Sequence, residues 1–556
     1  MDVYLEVQLL RVALMPDEEL EALYRMGFRA VLSAGIQREV AVDQGRAAYL
    51  QLRLDVEEEG QGAGAYQVEA VAVQVESHDQ GWSSYPDDRN TYNNSWTWGE
   101  LVLAGPDGEV LGQAAQAEPP RLYTNLHAPV PHRPPPSEDP RKVFDRFIRD
   151  QPAISKYIDV VDMVSRWHWG VPAAQLTRGN VADLLCYGFF YRSQQQLAAE
   201  GMGHLPDQLV SEIEAAWGVK FREGPYTPLP MMTHLWEPVR CFYRPLFFYA
   251  GVELLILLKH VMMLAAGFRA HMHSGMRYYT YGLPAPTAGG AANALRSPGG
   301  RGRRQAAATA PVLFLHGVGL GILPYLNFLL RLSSLGRPVV AVEVRHLSMR
   351  ACWEVPEEDE VVARVFGALQ RHGVQQVHVA AHSYGTFMAS RLVQLHKPTV
   401  ASLTLLDPVC FVMFSGKLIY NFVYRSPLKG ASLLTWFIAR DMAHSVSVSR
   451  RFYWSLLNLW PDQLPDHTMV ALSAQDELVP VQEVLTMLEA HPATRVLMHP
   501  THRHADFIKD LPWQARMVQE VAELIHAASG GHMQHTRSDS ASSYEVMAGL
   551  GSGGGK

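Results

Sequence analysis

The period of the hydrophobic and polar positions changes along this chain, and each period predicts a different kind of structure. Within residues 1–118, apolar and polar side chains alternate at 4–9, 48–54 and 68–75. A period of two is typical of strands that bury one face of a sheet, so we predict a β-sandwich-like domain over residues 1–118. The proline-rich residues 119–141 are predicted to be a linker.

Amphipathic stretches of helical period occupy the next part of the chain, and we predict a helical region over residues 142–282. Residues 283–310 are rich in Ala, Gly, Pro and Arg and have no period, which predicts a low-complexity linker. Residues 529–556 have a similar composition and are predicted to be a disordered tail.

One apolar segment, residues 245–268, is long enough to cross a bilayer, which takes about 20 apolar residues. It contains Glu253 and Lys259, and each charge costs about 2.5–3.5 kcal/mol at the centre of a spanning helix. Glu253 and His260 share one narrow polar stripe. The segment is therefore a helix buried against the protein, a helix lying along a membrane surface, or a spanning helix. The cost of the two charges favours a peripheral protein over a spanning one.

Residues 311–528 alternate short apolar runs with helical stretches, the pattern of the α/β class. The runs are short and rich in Val and Leu, as expected for strands covered by helices on both faces. We therefore predict a doubly wound, mostly parallel sheet. The candidate strands are Val312–Leu315, Val339–Val344, Val374–Ala380, Ala401–Leu406, Met469–Ser473 and Arg495–Met498.

A candidate nucleophile follows the third of these strands. Residues 381–385 read Ala-His-Ser-Tyr-Gly, which approximates G-x-S-x-G, the strand–turn–helix elbow that exposes a serine hydroxyl. Ala381 departs from the usual Gly but keeps the small size that the elbow needs. The position of Ser383 between a strand and a helix favours a nucleophile over a chance match.

A glycine-rich loop follows the first strand, with His316, Gly317, Val318 and Gly319 in the run His-Gly-Val-Gly. Glycines at such a place let backbone N–H groups approach a developing oxyanion, as acyl transfer requires. The spacing does not match the nucleotide-binding G-x-G-x-x-G, and the P-loop lysine is missing.

A candidate acid and a candidate base follow the last two strands. Asp476 comes after the strand at 469–473 and His504 after the strand at 495–498. The chain order Ser383, Asp476, His504 is that of the α/β-hydrolase triad. Asp407 ends an earlier strand and is the alternative acid, but it precedes Pro408, which suits a residue at the entrance of an insertion. Asp476 is favoured.

With these motifs, residues 311–528 resemble the α/β-hydrolase superfamily, in its lipase/esterase-like branch with an H-G-x-G oxyanion loop and in the fungal and algal type with an extended N-terminal region. The resemblance implies that Ser383 is the nucleophile, Asp476 the acid and His504 the base. It also implies that the backbone N–H groups of Val318 and Tyr384 bind the oxyanion. In this fold a cap commonly lies over the site, and residues 408–467 occupy its place.

The cap contains eleven aromatic residues, which favour an apolar acyl-binding lid. Alternatively, they fill the cap's own core. They are Phe411, Phe414, Tyr420, Phe422, Tyr424, Trp436, Phe437, Phe452, Tyr453, Trp454 and Trp460.

Composition narrows the functional classes. The chain has 48 basic and 55 acidic residues, a net charge of −7, which does not indicate a nucleic-acid partner. The four cysteines lie far apart without a CxxC pair, so a disulfide framework and a zinc ribbon are excluded. No signal peptide is visible at the start, and an intracellular location, cytoplasmic or peripheral on a membrane, is expected. No metal or cofactor is expected.

The leading hypothesis is a serine hydrolase that cleaves carboxylic esters with apolar acyl groups through an acyl-enzyme. The substrate would be an ester or a lipid, and a membrane surface is a candidate partner. An acyltransferase or thioesterase on the same triad is one alternative. The other is a catalytically silent binding or scaffold protein of the same fold.

Overall fold

The computed structural model divides the chain into two compact units, residues 1–130 and residues 131–556. The residues that it describes are 2–6, 35–39, 74–77, 98–100, 121–124, 139–242, 244–286, 310–352, 354–530 and 545–546.

In the first unit the described residues are strands of two small antiparallel sheets. β1 (Asp2–Glu6) pairs on one side with β2 (Gly35–Glu39) and on the other with β3 (Gln74–Ser77). β4 (Trp98–Glu100) pairs with β5 (Arg121–Thr124). The predicted strands at 4–9 and 68–75 overlap β1 and β3. The predicted strand at 48–54 and the remainder of the β-sandwich lie outside the described residues.

Six helices open the described part of the second unit, and local sequence explains where several of them begin. Asp139 caps the first, with Pro140 at its first position, and capping boxes start two others at Thr177 and Ser193. Gly218, with a φ of 66°, ends the sixth. The helices are α1 (Pro140–Arg149), α2 (Gln151–Ile154), α3 (Val160–Trp167), α4 (Arg178–Leu185), α5 (Gln194–Ala199) and α6 (Leu205–Trp217).

The long apolar segment forms helix α7 (Leu246–Ala265), which is followed by the hairpin of β6 (Arg269–His273) and β7 (Met276–Tyr281). The hairpin joins the main sheet through β7, which pairs antiparallel with β9 (Val339–Glu343). The prediction of a purely helical region over 142–282 is therefore wrong at its end, and the main sheet begins before residue 311.

The main sheet has the strand order β14-β13-β12-β11-β10-β8-β9-β7-β6, and only β6 and β7 run antiparallel to their neighbours. All six predicted strands are present, and the predicted doubly wound, mostly parallel sheet is confirmed. The remaining strands are β8 (Val312–Leu315), β10 (Val377–His382), β11 (Val400–Leu406), β12 (Thr468–Ser473), β13 (Arg495–His499) and β14 (Glu545–Val546).

Helices connect these strands, and the core of the unit lies where they cover the sheet. The helices of the connections are α8 (Leu326–Ser333), α9 (Glu358–Arg371), α10 (Gly385–His396), α15 (Val481–Glu489) and α16 (Leu511–Ala528). Of the predicted linker at 283–310, residues 287–309 lie outside the described residues. The same holds for the predicted tail at 529–556, apart from residues 529–530 and the two residues of β14.

The insertion between β11 and β12 contains α11 (Lys417–Ile419), α12 (Leu433–Ala439), α13 (Met442–Arg450) and α14 (Trp454–Leu457). Seven of its eleven aromatic side chains are buried: Phe411, Phe414, Phe422, Tyr424, Phe452, Trp454 and Trp460.

These aromatics pack against the helical region. The ring of Phe414 lies 5.2 Å from that of Phe147 in α1, and the ring of Trp454 lies 5.4 Å from that of Phe189. Most of the aromatic residues therefore build a core that the cap shares with the helical region. This corrects the prediction that the set as a whole forms an acyl-binding lid.

Candidate active site

Ser383 lies in a sharp turn between β10 and α10. Its φ of 51° falls in the left-handed region, which is strained for a residue with a Cβ, and its N–H donates to the carbonyl of Leu406 at 3.0 Å. The turn needs Gly385, because a Cβ there would lie 2.3 Å from the carbonyl oxygen of Leu315. Gly385, two positions after Ser383, therefore allows helix α10 to begin in direct contact with β8.

His504 and Asp476 complete a hydrogen-bonded chain with Ser383. Nε2 of His504 lies 2.8 Å from Oγ of Ser383, and Nδ1 lies 2.7 Å from Oδ2 of Asp476. The other carboxylate oxygen of Asp476 accepts the N–H groups of Leu478 and Val479 at 2.7 and 3.0 Å. Both oxygens of the acid are therefore held, and its orientation toward the imidazole is fixed.

The carboxylates around His504 control its protonation. Burial lowers the pKa of the imidazole, but the charge and hydrogen bond of Asp476, together with the charges of Asp407 and Glu477, outweigh burial and raise the pKa to about 9. Such a histidine is strongly basic. It can accept a proton from Ser383 once it is neutral.

Asp407 lies beside this chain and bonds to the backbone of the histidine loop. Its Oδ2 accepts the N–H of Ala505, whose φ is 67°, at 2.9 Å. Burial acts to raise the pKa of Asp407, but its interactions with His382 and His504 lower it. The acid whose hydrogen bond reaches the imidazole is Asp476, and Asp407 supports the loop that carries His504.

The glycine-rich loop lies against the nucleophile. A Cβ on Gly317 would lie only 2.8 Å from Cβ of Ser383, so this close approach requires glycine. His316 accepts the N–H of Val344 on Nε2 at 3.0 Å, and the N–H of Gly319 donates to Leu347 at 3.0 Å. These bonds fix both ends of the loop.

Val318 directly follows Gly317, the loop residue that packs against Ser383. Among the described residues, the backbone N–H groups of Val318 and Tyr384 have no hydrogen-bond acceptor. An oxyanion hole requires two backbone N–H groups that are free to donate in this way.

Two buried polar networks support the site. The hydroxyl of Tyr325 contacts Nδ1 of His382 at 2.7 Å and accepts the N–H of Gly317 at 3.3 Å, which links the elbow to the glycine-rich loop. The hydroxyl of Tyr384 donates to the carboxyl of Glu358, and burial raises the pKa of that carboxyl to about 7. Neither Tyr325 nor Glu358 lies in a recognisable motif, so sequence reasoning missed both. His382 was visible only as part of the elbow.

Two groups of side chains among the described residues could bring three metal ligands together. One consists of Asp407, Asp476 and His504, where the hydrogen bonds described above already engage the ligand atoms. The other group consists of His499, His502 and Asp510. Nδ1 of His499 accepts the backbone N–H of His502 at 3.2 Å, so the ring proton of His499 lies on Nε2, the nitrogen that would have to bind a metal beside Asp510. Neither arrangement favours a metal centre.

Comparison with known protein families gives a match to the model described as the alpha/beta hydrolase family, over residues 312–541. A search among curated proteins gave no match.

Solved structures that match include a bacterial membrane phospholipase A, at 16% identity and a TM-score of 0.32, covering 51% of this chain and 94% of that one. A meta-cleavage product hydrolase from Pseudomonas fluorescens has 15% identity and a TM-score of 0.33, covering 47% and 98%. An epoxide hydrolase from Vigna radiata has 13% identity and a TM-score of 0.30, covering 47% and 98%. Similarity at this level carries no information on the substrate of this chain.

Proposed function

Residues 312–541 belong to the α/β-hydrolase superfamily, and from this premise we propose that the protein is a serine hydrolase that cleaves carboxylic esters with apolar acyl groups. One observation carries the proposal. The chain of hydrogen bonds from Ser383 through His504 to Asp476 has distances of 2.8 and 2.7 Å, which are those of an assembled nucleophile, base and acid.

This geometry supports the following reaction. His504 takes the proton of the Ser383 hydroxyl on Nε2 while Oγ attacks the ester carbonyl carbon. The oxyanion so formed accepts the N–H groups of Val318 and Tyr384. His504 then returns its proton to the departing alcohol, which leaves an acyl-serine. A water molecule, deprotonated by His504, releases the carboxylic acid and restores the serine.

Helix α12 supports the preference for an apolar acyl group. A Cβ on Gly319 would lie 3.9 Å from Cδ1 of Ile438, so this helix lies over the glycine-rich loop. Thr435 donates to Glu477, the neighbour of Asp476 in the chain, at 3.3 Å. An acyl chain bound next to Ser383 would meet the aliphatic side of α12.

Labelling with a fluorophosphonate probe and hydrolysis of p-nitrophenyl esters test the proposal together. The unmodified protein should become labelled and hydrolyse the esters, and Ser383→Ala should do neither. Ser334→Ala, a change at an exposed serine on the surface, is the matched control and should behave like the unmodified protein. Labelling or wild-type turnover in Ser383→Ala would refute the nucleophile. A series of acyl lengths tests the apolar preference, which is wrong if activity falls steadily as the chain lengthens.

A further inference from the structure

Helix α7 is attached to the hydrolase domain by one stripe of its surface. Val252, Ile256, Lys259 and Met263 are buried and follow each other at helical spacing. Nζ of Lys259 lies 2.5 Å from the carboxylate of Glu343, at the end of β9, and 2.9 Å from the hydroxyl of Tyr279.

The other two polar groups of the helix interior flank this stripe and are also engaged. Glu253 accepts two hydrogen bonds from Arg350 at 2.8 and 2.6 Å, and Nδ1 of His260 lies 2.9 Å from the hydroxyl of Tyr279. Glu253, Lys259 and His260 therefore all face the protein. The alternative of a helix buried against the protein holds for one side of α7 only, because the opposite side has no protein over it among the described residues.

That opposite side is wholly apolar. Every residue of α7 that is exposed is a hydrocarbon residue, a methionine or a glycine. The side chains of Leu254, Leu257 and Leu258 are 66%, 57% and 52% exposed. Among the described residues, α7 is the one helix that is long and apolar enough to cross a membrane.

The cap helix α12 extends this surface toward the active site. The ring of Phe248 in α7 lies 5.8 Å from that of Phe437 in α12, and the guanidinium of Arg244 lies over both rings. The exposed residues of α12 are Leu433, Leu434 and Phe437, again without a polar side chain. We call the exposed residues of α7 and α12 together the docking face.

The chemistry of the docking face fits a lipid surface better than a protein. A protein interface carries about one hydrogen bond per 100–200 Å², and the exposed side chains of this face offer no donor or acceptor. Twenty residues of helix extend about 30 Å, far enough to lie across many lipid molecules. The exposed charged residues that flank the two helices in sequence are Arg240, Arg269 and Lys429, all basic, which suits anionic headgroups.

We propose that the docking face binds the surface of a lipid bilayer, with α7 lying in the plane of the membrane and not across it. The ion pair of Lys259 with Glu343 and that of Glu253 with Arg350 hold the inner side of α7 on the domain, so the helix has only its outer side for lipid. Because Ile438 of α12 lies next to Gly319 in the glycine-rich loop, the docking face would hold this loop and Ser383 close to the bilayer, where apolar esters are concentrated.

Flotation with lipid vesicles tests this docking. The full chain carrying Ser383→Ala is mixed with vesicles of phosphatidylcholine and phosphatidylglycerol, so that binding is measured without hydrolysis. In this background the variant Leu254→Gln, Leu257→Gln, Leu258→Gln alters only exposed side chains of α7. Its vesicle partition coefficient should fall about 100-fold, since three leucine side chains no longer enter the lipid.

The matched control is Leu330→Gln, Leu395→Gln, Leu511→Gln in the same Ser383→Ala background, which changes three exposed leucines on other helices. It should float with the vesicles like the parent, the chain that carries Ser383→Ala alone. A parent that stays unbound, or an α7 variant that floats as well as the control, would overturn the proposal. Light scattering without vesicles addresses a second copy of the chain: a parent dimer that the α7 variant converts to a monomer would assign the face to self-association instead. Vesicle binding is measured here without ester hydrolysis, so a failure of the docking proposal can be distinguished from a failure of the proposed function.

Discussion

Replacing Asp476 by asparagine should reverse the tautomer of His504. Oδ1 of Asp476 accepts two backbone N–H groups, from Leu478 and Val479, while Oδ2 accepts from Nδ1 of His504. An asparagine keeps the two backbone bonds only if its carbonyl oxygen replaces Oδ1. Its NH₂ group then faces Nδ1 and donates to it, so that Nε2 carries the proton and cannot accept one from Ser383.

The size of the effect follows from the loss of the base. We expect kcat to fall about 10⁴-fold, as a reversed tautomer does in a serine protease triad. The fold should stay intact because the two backbone hydrogen bonds are kept. Hydrolysis of a short p-nitrophenyl ester gives kcat, and a thermal melt checks folding.

Asp407→Asn is the matched control, since it removes the other carboxylate next to His504. Its side-chain oxygen can still accept the N–H of Ala505, so we expect kcat to stay within about tenfold of the unmodified protein. The charge of Asp407 helps to raise the pKa of His504, so the acidic limb of its pH profile should move to lower pH. A folded but inactive Asp407→Asn beside an active Asp476→Asn would refute the assignment of the acid.

Four further changes test other parts of the structure. Because Ser383 has a φ of 51°, Ser383→Gly should be more stable than Ser383→Ala by about 1 kcal/mol in urea unfolding, and equal stabilities would contradict the strain. Gly317→Ala should lower kcat without unfolding the protein, because the new Cβ would lie 2.8 Å from Cβ of Ser383; an unchanged kcat would argue against the close approach. Lys259→Met should lower the free energy of unfolding by about 3–5 kcal/mol, because it leaves the buried carboxylate of Glu343 without its ion-pair partner. Adding Glu343→Leu should restore part of this loss. If stability does not recover, the unpaired charge is not the cause. Finally, kcat/KM should rise with pH up to about 9, since His504 acts as a base only when neutral and its pKa is raised; a plateau reached near pH 6 would contradict this.

The sequence was sufficient to predict the parallel strands and the order of the candidate triad. Buried parallel strands such as β8 and β9 are uninterrupted apolar runs, which stand out from the helices between them. Ser383, Asp476 and His504 each follow such a strand, so the topology alone brings them to one edge of the sheet. Sequence also ranked Asp476 above Asp407, and the structure places Asp476 in hydrogen-bond contact with the imidazole.

The features that were missed depend on long-range contacts. The hairpin of β6 and β7 lies in a stretch dominated by helices, and only the turn at Ser274-Gly275 between two short polar–apolar runs indicated it. In the sequence, Lys259 could be interpreted only as a charge that opposes a membrane-spanning helix. Its partner Glu343 lies 84 residues away, and no local pattern could have identified it. For the same reason the packing of Phe414 on Phe147 was not visible.

The core that the cap shares with the helical region also decides which part of the chain can fold alone. The matched family segment, 312–541, contains the candidate triad and the cap but none of α1 to α7. Expressed by itself, it would present Phe414 and Trp454 to water where Phe147 and Phe189 now cover them. It would also lose β6 and β7 from one edge of its sheet and β14 from the other. The smallest autonomous folding unit is therefore larger than the recognisable hydrolase sequence, and it must include the helices that precede it.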